Sequence, residues 1–90
     1  MSIEIKISPL LTKYTGNQQT AEVKGNTVGE CLDQLVKKFP DLKPKIYDKD
    51  DRLVRYLGVY VNGESAYPEE LAKKVKAGDK IHLVMVIAGG

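Results

Sequence analysis

One amphipathic helix pattern among short alternating segments most constrains how this 90-residue chain can fold. Thr27 and Glu30 have the spacing of a capping box, in which Thr is the N-cap and Glu lies three residues later. Apolar residues then recur on one helical stripe: Val28, Cys31, Leu32, Leu35, Val36 and Phe39. Pro40 ends the pattern, so the sequence predicts one helix over residues 28–39 whose apolar face must be covered by another element.

The other regular segments alternate polar and apolar residues, which is typical of half-buried strands. This alternation predicts strands at residues 3–7, 20–24, 59–61, 64–67 and 80–86. The short connection between the first two closes at Gly16 and Asn17, which favours an antiparallel hairpin. Asn62 and Gly63 predict a type I′ turn between the third and fourth strands, because both central residues of that turn need positive φ.

The order of these elements predicts the fold. Residues 42–57 indicate a turn of helix and an exposed loop, residues 68–71 a brief helix, and residues 77–79 a turn. We therefore expect the order β-β-α-β-β-β, with the last strand filling the centre of the sheet beside the first. The prediction is an α+β protein with a β-grasp roll, a mixed sheet and one main helix, as a single domain over residues 1–90.

The composition leaves little material for side-chain chemistry. One Cys, one His and no Trp leave almost no residues for a His/Cys metal site and a single Cys-His pairing. The 14 Lys and Arg interleave with 12 Asp and Glu, so nothing favours nucleic-acid binding. The first residues lack a secretory signal pattern, no apolar run reaches the length of a membrane span, and a lone Cys suits a reducing compartment. We expect a cytoplasmic protein without a metal, a resident cofactor or a membrane partner.

The most informative residues for function are the last three, Ala88, Gly89 and Gly90. They follow the final strand directly, and residues 81–90 carry no formal side-chain charge apart from His82, so we expect the tail to project. The carboxylate of Gly90 is an anion at neutral pH and can attack the α-phosphate of ATP. Displacement of AMP then leaves a thiocarboxylate, a thioester or an amide, depending on the nucleophile. A frayed terminus without a role is the alternative.

The last strand also predicts a docking surface. His82, Val84 and Val86 alternate with the core-facing residues, which places them on the outer face of the sheet as candidate partner contacts. Coverage of this face by residues 42–57 is the alternative. Cys31 lies on the apolar stripe of the helix and is interpreted as a buried side chain.

Two segments resemble ligand-binding motifs, but neither is interpreted as a binding site. Residues 58–65 nearly match a phosphate-binding loop, but Glu64 stands where that loop requires Lys, so the hairpin interpretation is favoured. The aspartates of residues 48–51 lack the Gly and Glu spacing of an EF-hand and are interpreted as a solvated loop.

Across nearly its whole length the chain resembles the ubiquitin-like sulfur-carrier family, the MoaD/ThiS group. The matching pieces are Thr27-Val28-Gly29-Glu30-Cys31-Leu32, Val59-Tyr60-Val61-Asn62-Gly63, Gly78-Asp79-Lys80-Ile81 and Ala88-Gly89-Gly90. The length and residues 40–57 look most like the small subunit of molybdopterin synthase.

The resemblance implies a specific use for the tail. A ubiquitin-activating-like enzyme would adenylate Gly90 with ATP, and a sulfur donor would convert it to a thiocarboxylate. The tail, residues 88–90, would then enter the active site of a synthase large subunit, and the chain would be a cosubstrate rather than an enzyme. Sulfur transfer in thiamine or cysteine synthesis, conjugation through Gly90 to protein lysines, and a pure interaction module remain the alternatives.

Overall fold

The computed structural model describes residues 2–85. This range contains five strands, two α-helices and three 3-10 helices. The strands are β1 Ile3–Lys6, β2 Thr20–Val23, β3 Leu57–Val61, β4 Glu64–Ser65 and β5 Lys80–Met85. The helices are α1 Val28–Lys38 and α2 Lys43–Ile46, with 3-10 helices at Pro9–Tyr14, Pro40–Leu42 and Glu70–Ala72. Within this range no helix is long and apolar enough to cross a bilayer.

The strands form one mixed sheet in the order β2-β1-β5-β3-β4. β5 lies at its centre, parallel to β1 with Ile5 opposite Ile81, and antiparallel to β3 with Val59 opposite Leu83. This arrangement confirms the predicted β-grasp fold and the central position of the last strand. We call the end of the sheet where β5 begins the lower end and the end where β5 stops at Met85 the upper end.

Helix α1 covers one face of the sheet, and its start follows the predicted capping box. The Thr27 hydroxyl accepts a hydrogen bond from Glu30 N at 3.2 Å. Glu30 Oε1 accepts from Asn26 N at 2.9 Å, one residue before the N-cap. Of the predicted stripe, four side chains are fully buried and two are partly buried. The helix ends at Lys38, one residue earlier than predicted, because Phe39 turns out of the helical conformation as its C-cap.

The connection after β1 contains an element that the sequence analysis did not predict. Residues 10–17 were expected as a connection with no assigned conformation, and Pro9–Tyr14 forms a 3-10 helix. Ser8 Oγ accepts from Leu10 N at 3.3 Å and so caps its first turn. The buried Thr15 hydroxyl lies 3.0 and 2.8 Å from the carbonyl oxygens of Thr12 and Gln18. These hydrogen bonds give the connection a defined conformation.

Other boundaries differ by a few residues. β4 is two residues long instead of four, and the brief helix predicted over residues 68–71 is a 3-10 helix at Glu70–Ala72. The predicted type I′ turn is present, since Asn62 and Gly63 have φ values of 51° and 87°. The helical turn predicted within residues 42–57 is α2, and an exposed loop follows it.

Candidate functional site

Strand β5 carries the candidate site and leads into the predicted tail. Its inner side chains, Ile81 and Leu83, are buried in the core, so the central strand is fixed on that side. The predicted site residues Val86, Ala88, Gly89 and Gly90 lie outside the described residues. The last described residue is Met85, at the upper end of the sheet, and residues 86–90 follow it in the sequence.

The outer face of β5, opposite α1, presents His82 and Val84. Val84 is 40% exposed, so residues 42–57 do not cover it as the alternative interpretation proposed. Its neighbour across the strand pair is Gly58, which adds no side chain above it. His82 is partly buried. An exposed valine in the central strand is the kind of apolar contact that a partner can cover.

Tyr60 also lies on the outer face, and the sequence pattern did not single it out. It lies directly opposite His82 in β3 and is 37% exposed. On the other side of His82 lies Lys6 of β1, so three strands contribute one row across the outer face. The available signal was the alternation of Tyr60 with the inward-facing Val59 and Val61. Aromatic side chains are enriched at protein interfaces, so Tyr60 extends the candidate surface.

Two turns at the lower end hold the start of β5. Asn62 N donates to the Lys80 carbonyl at 2.8 Å, and Lys80 N donates to Asn62 Oδ1 at 3.0 Å. Asn62 Nδ2 also donates to Asp79 Oδ1 at 3.1 Å. Asp79 accepts further bonds from the backbone N and ammonium group of Lys76, at 2.9 and 3.2 Å. We call Asn62, Lys76, Asp79 and Lys80 the lower clamp.

The lower clamp also changes the acidity of its carboxylate. Hydrogen bonds from Asn62 and from the backbone of Lys76 lower the pKa of Asp79 below its ordinary value, because they stabilise the ionised form. Two of the sequence pieces that carry the family resemblance, around Asn62 and Asp79, therefore meet in one network.

Cys31 and Asp48 make structural contacts. Cys31 is buried in the core, and this burial, followed by the nearby charge of Glu30, raises the pKa of its thiol. Asp48 Oδ1 accepts from the backbone N of Asp50 and of Arg52, at 2.8 and 3.1 Å, and so shapes the exposed acidic loop. Residues 58–65 form the β3–β4 hairpin, as expected.

The sequence and the fold are both similar to those of known proteins. The model of the ThiS family matches residues 8–90. Small archaeal modifier protein 1 of Haloferax volcanii is 32% identical over 90 residues, covering 98% of this chain and 100% of the relative. Its crystal structure superposes with a TM-score of 0.87 over the full length of both chains.

Sulfur carriers are similar over the same length. The sulfur carrier protein CysO of Mycobacterium tuberculosis is 26% identical over 93 residues, covering 100% of both chains. In the crystal structure of the BexX/CysO complex of Amycolatopsis orientalis, the matching chain is 31% identical with a TM-score of 0.87, covering 98% of this chain and 99% of that one. A molybdopterin converting factor subunit of Pyrococcus furiosus, at 17% identity and a TM-score of 0.71, shares the fold.

Proposed function

Because the chain belongs to the ThiS family and is similar to a sulfur carrier and to a small archaeal modifier, we propose that it carries sulfur as a thiocarboxylate at Gly90. The observation that carries this proposal is the Ala88-Gly89-Gly90 sequence following the central strand β5. The two glycines lack Cβ atoms, so the segment can enter a narrow active site in many backbone conformations.

The chemistry needs no catalytic side chain from this chain. A carboxylate oxygen of Gly90 attacks the α-phosphorus of ATP, and pyrophosphate leaves. Hydrosulfide, supplied by a sulfur donor, then bonds to the acyl carbon of the adenylate, and AMP leaves with one of the original carboxylate oxygens. Loss of a proton gives the thiocarboxylate. The adenylating enzyme supplies the groups that stabilise the phosphates, so this chain acts as a cosubstrate.

The outer face of the sheet is proposed as the surface that this enzyme contacts. Val84 and Tyr60 are exposed beside His82, in the central strand that leads to the tail. Val86 extends the same alternation in the sequence. Contact at this surface would hold the tail at the partner's active site. The entropic cost of orienting Gly90 toward ATP would then be lower. The CysO complex from Amycolatopsis supports the idea that such chains bind a protein partner.

The acceptor of the sulfur is the finer part of the proposal. We propose that the acceptor is a synthase large subunit of the molybdopterin type. The length of the chain and residues 40–57 support this, because they resemble the small subunit of molybdopterin synthase. The similarity to CysO supports a sulfur carrier of another pathway as the competing acceptor assignment. Incubating the thiocarboxylate form with each candidate acceptor enzyme, and measuring the return of Gly90 to a carboxylate, distinguishes them.

A second candidate function is conjugation of Gly90 to protein lysines. The 32% identity to small archaeal modifier protein 1 favours it. Both functions share the adenylation step, and they differ in the nucleophile that displaces AMP. The test is mass spectrometry of Gly90: a sulfur carrier shows sulfur replacing one oxygen, whereas a modifier shows an amide bond between Gly90 and a lysine of another protein.

A further inference from the structure

Two lysines from distant parts of the sequence converge on one aromatic ring. Lys13 Nζ lies 5.3 Å from the centre of the Tyr14 ring, and Lys45 Nζ lies 5.4 Å from it. Lys13 belongs to the Pro9–Tyr14 helix and Lys45 to α2. Attraction between each ammonium group and the ring electrons offsets part of the repulsion between the two cations. The fold therefore places two positive charges around one tyrosine ring.

These lysines lie at the upper end of the sheet, where β5 stops. β1 and β5 are parallel, with Lys6 opposite His82, so the chain leaves β1 at the same end at which β5 leads into residues 86–90. The Pro9–Tyr14 helix follows β1 directly, and it packs against the Pro40–Leu42 helix that precedes α2. Two cations thus stand at the end of the molecule from which the tail continues.

An exposed apolar side chain, Leu10, lies on the same 3-10 helix as Lys13. Leu10 is 54% exposed, although its neighbour Leu11 is buried in the core. The serine cap at Ser8 and the buried hydroxyl of Thr15 fix the helix at both ends. A fixed backbone loses little conformational entropy when a partner covers Leu10, which makes this side chain a suitable anchor.

The positive charges are not neutralised within residues 2–85. The ion pair found in this range joins Lys76 and Asp79 at the lower end, and neither Lys13 nor Lys45 takes part in one. Asp41, an exposed residue of the neighbouring Pro40–Leu42 helix, forms no ion pair with them. The upper end therefore offers cations that an opposing carboxylate can still bind.

We propose that Leu10, Lys13 and Lys45 form a second docking surface for the adenylating enzyme, which would contact it with an apolar pocket edged by carboxylates. This inference rests on the proposed function and adds a contact on a different element from the outer face of β5. Leu10 would fill the pocket, while the two lysines would steer the tail end of the chain toward the acidic edge.

The test compares double variants in the adenylation reaction, using the adenylating enzyme of the same organism. Lys13→Gln with Lys45→Gln removes both charges at the upper end. Lys24→Gln with Lys73→Gln removes two charges at the lower end, where Lys73 O accepts from Val28 N at the start of α1. Pyrophosphate release gives kcat and KM at low and at high salt, and thermal unfolding checks that all variants fold.

We expect the upper-end double variant to lower kcat/KM by about tenfold at low salt, with kcat unchanged and with less dependence on salt than the native chain. Leu10→Ala should raise KM by about tenfold at both salt concentrations. If both double variants behave alike, or if Leu10→Ala leaves KM unchanged, this docking surface is wrong while the sulfur-carrier function stands. If the native chain is not adenylated at all, both proposals are overturned.

Discussion

The side chain of Asn62 joins the β3–β4 turn to Asp79, the residue that precedes the central strand β5. Its Nδ2 donates to Asp79 Oδ1 at 3.1 Å, while its Oδ1 accepts from Lys80 N at 3.0 Å. Asn62 also has a φ of 51°, which asparagine tolerates better than most residues. One side chain therefore fixes both a tight turn and the register of the strand that leads to the tail.

Asn62→Ala should destabilise the fold by about 1–3 kcal/mol, because it removes two side-chain hydrogen bonds. It also places alanine, which adopts positive φ less readily than asparagine, at this position of the turn. Urea unfolding measures this change. Asn62→Gly is the matched control, since glycine keeps the turn conformation and loses only the hydrogen bonds. An Asn62→Ala variant as stable as the native chain would contradict the role of the lower clamp.

The lower clamp predicts a pH dependence of stability. The folded state lowers the pKa of Asp79 below its ordinary value of 3.8, so the unfolded state binds a proton more readily. The stability that the ionised carboxylate contributes is complete above this ordinary value and is lost as the pH falls through the lowered one. The difference in unfolding free energy between the native chain and Asp79→Asn should therefore shrink at acid pH. A difference that stays constant as the pH falls from neutral to well below 3.8 would contradict the clamp.

The start of α1 predicts a separable loss of stability. Thr27→Ala should cost about 1 kcal/mol, because Glu30 N loses the hydroxyl that accepts its hydrogen bond. Thr27→Ser keeps an acceptor at the same place and should remain close to the native stability. Chemical denaturation of both variants checks this, and equal losses for Ala and Ser would show that the hydroxyl is not the stabilising group.

The outer face predicts a loss of partner binding without a loss of fold. Val84→Asp places a charge in the exposed apolar contact and should weaken binding of the adenylating enzyme at least about tenfold. Gln34→Glu adds the same charge on the exposed side of α1, on the opposite face of the sheet, so it should bind normally. Calorimetric titration measures both. Equal binding by the two variants would remove Val84 from the interface.

Much of this architecture could be predicted from local patterns. The capping box and apolar stripe of α1 and the Asn62-Gly63 turn are signals within a few residues of each other, and the structure contains all of them. Contacts between distant residues carry no such signal. The Asn62–Asp79 bond spans 17 residues, and the approach of Lys45 to Tyr14 depends on how two helices pack.

The site was predictable to a different extent. Alternation in β5 placed Val84 on the outer face, and its 40% exposure agrees with that prediction. Tyr60 was missed because its importance comes from lying opposite His82, and that pairing follows from the strand order. The roles of Val86 and of the tail residues stay predictions, since these residues lie beyond the described range.

The most direct test of the central claim is the intact mass of the chain after incubation with its adenylating enzyme, ATP and a sulfide donor. The account predicts an increase equal to the mass difference between sulfur and oxygen, located by fragmentation at Gly90. A variant lacking Gly90 should show no increase under the same conditions. An unchanged mass of the native chain, with an enzyme proven active on another carrier, would contradict the account.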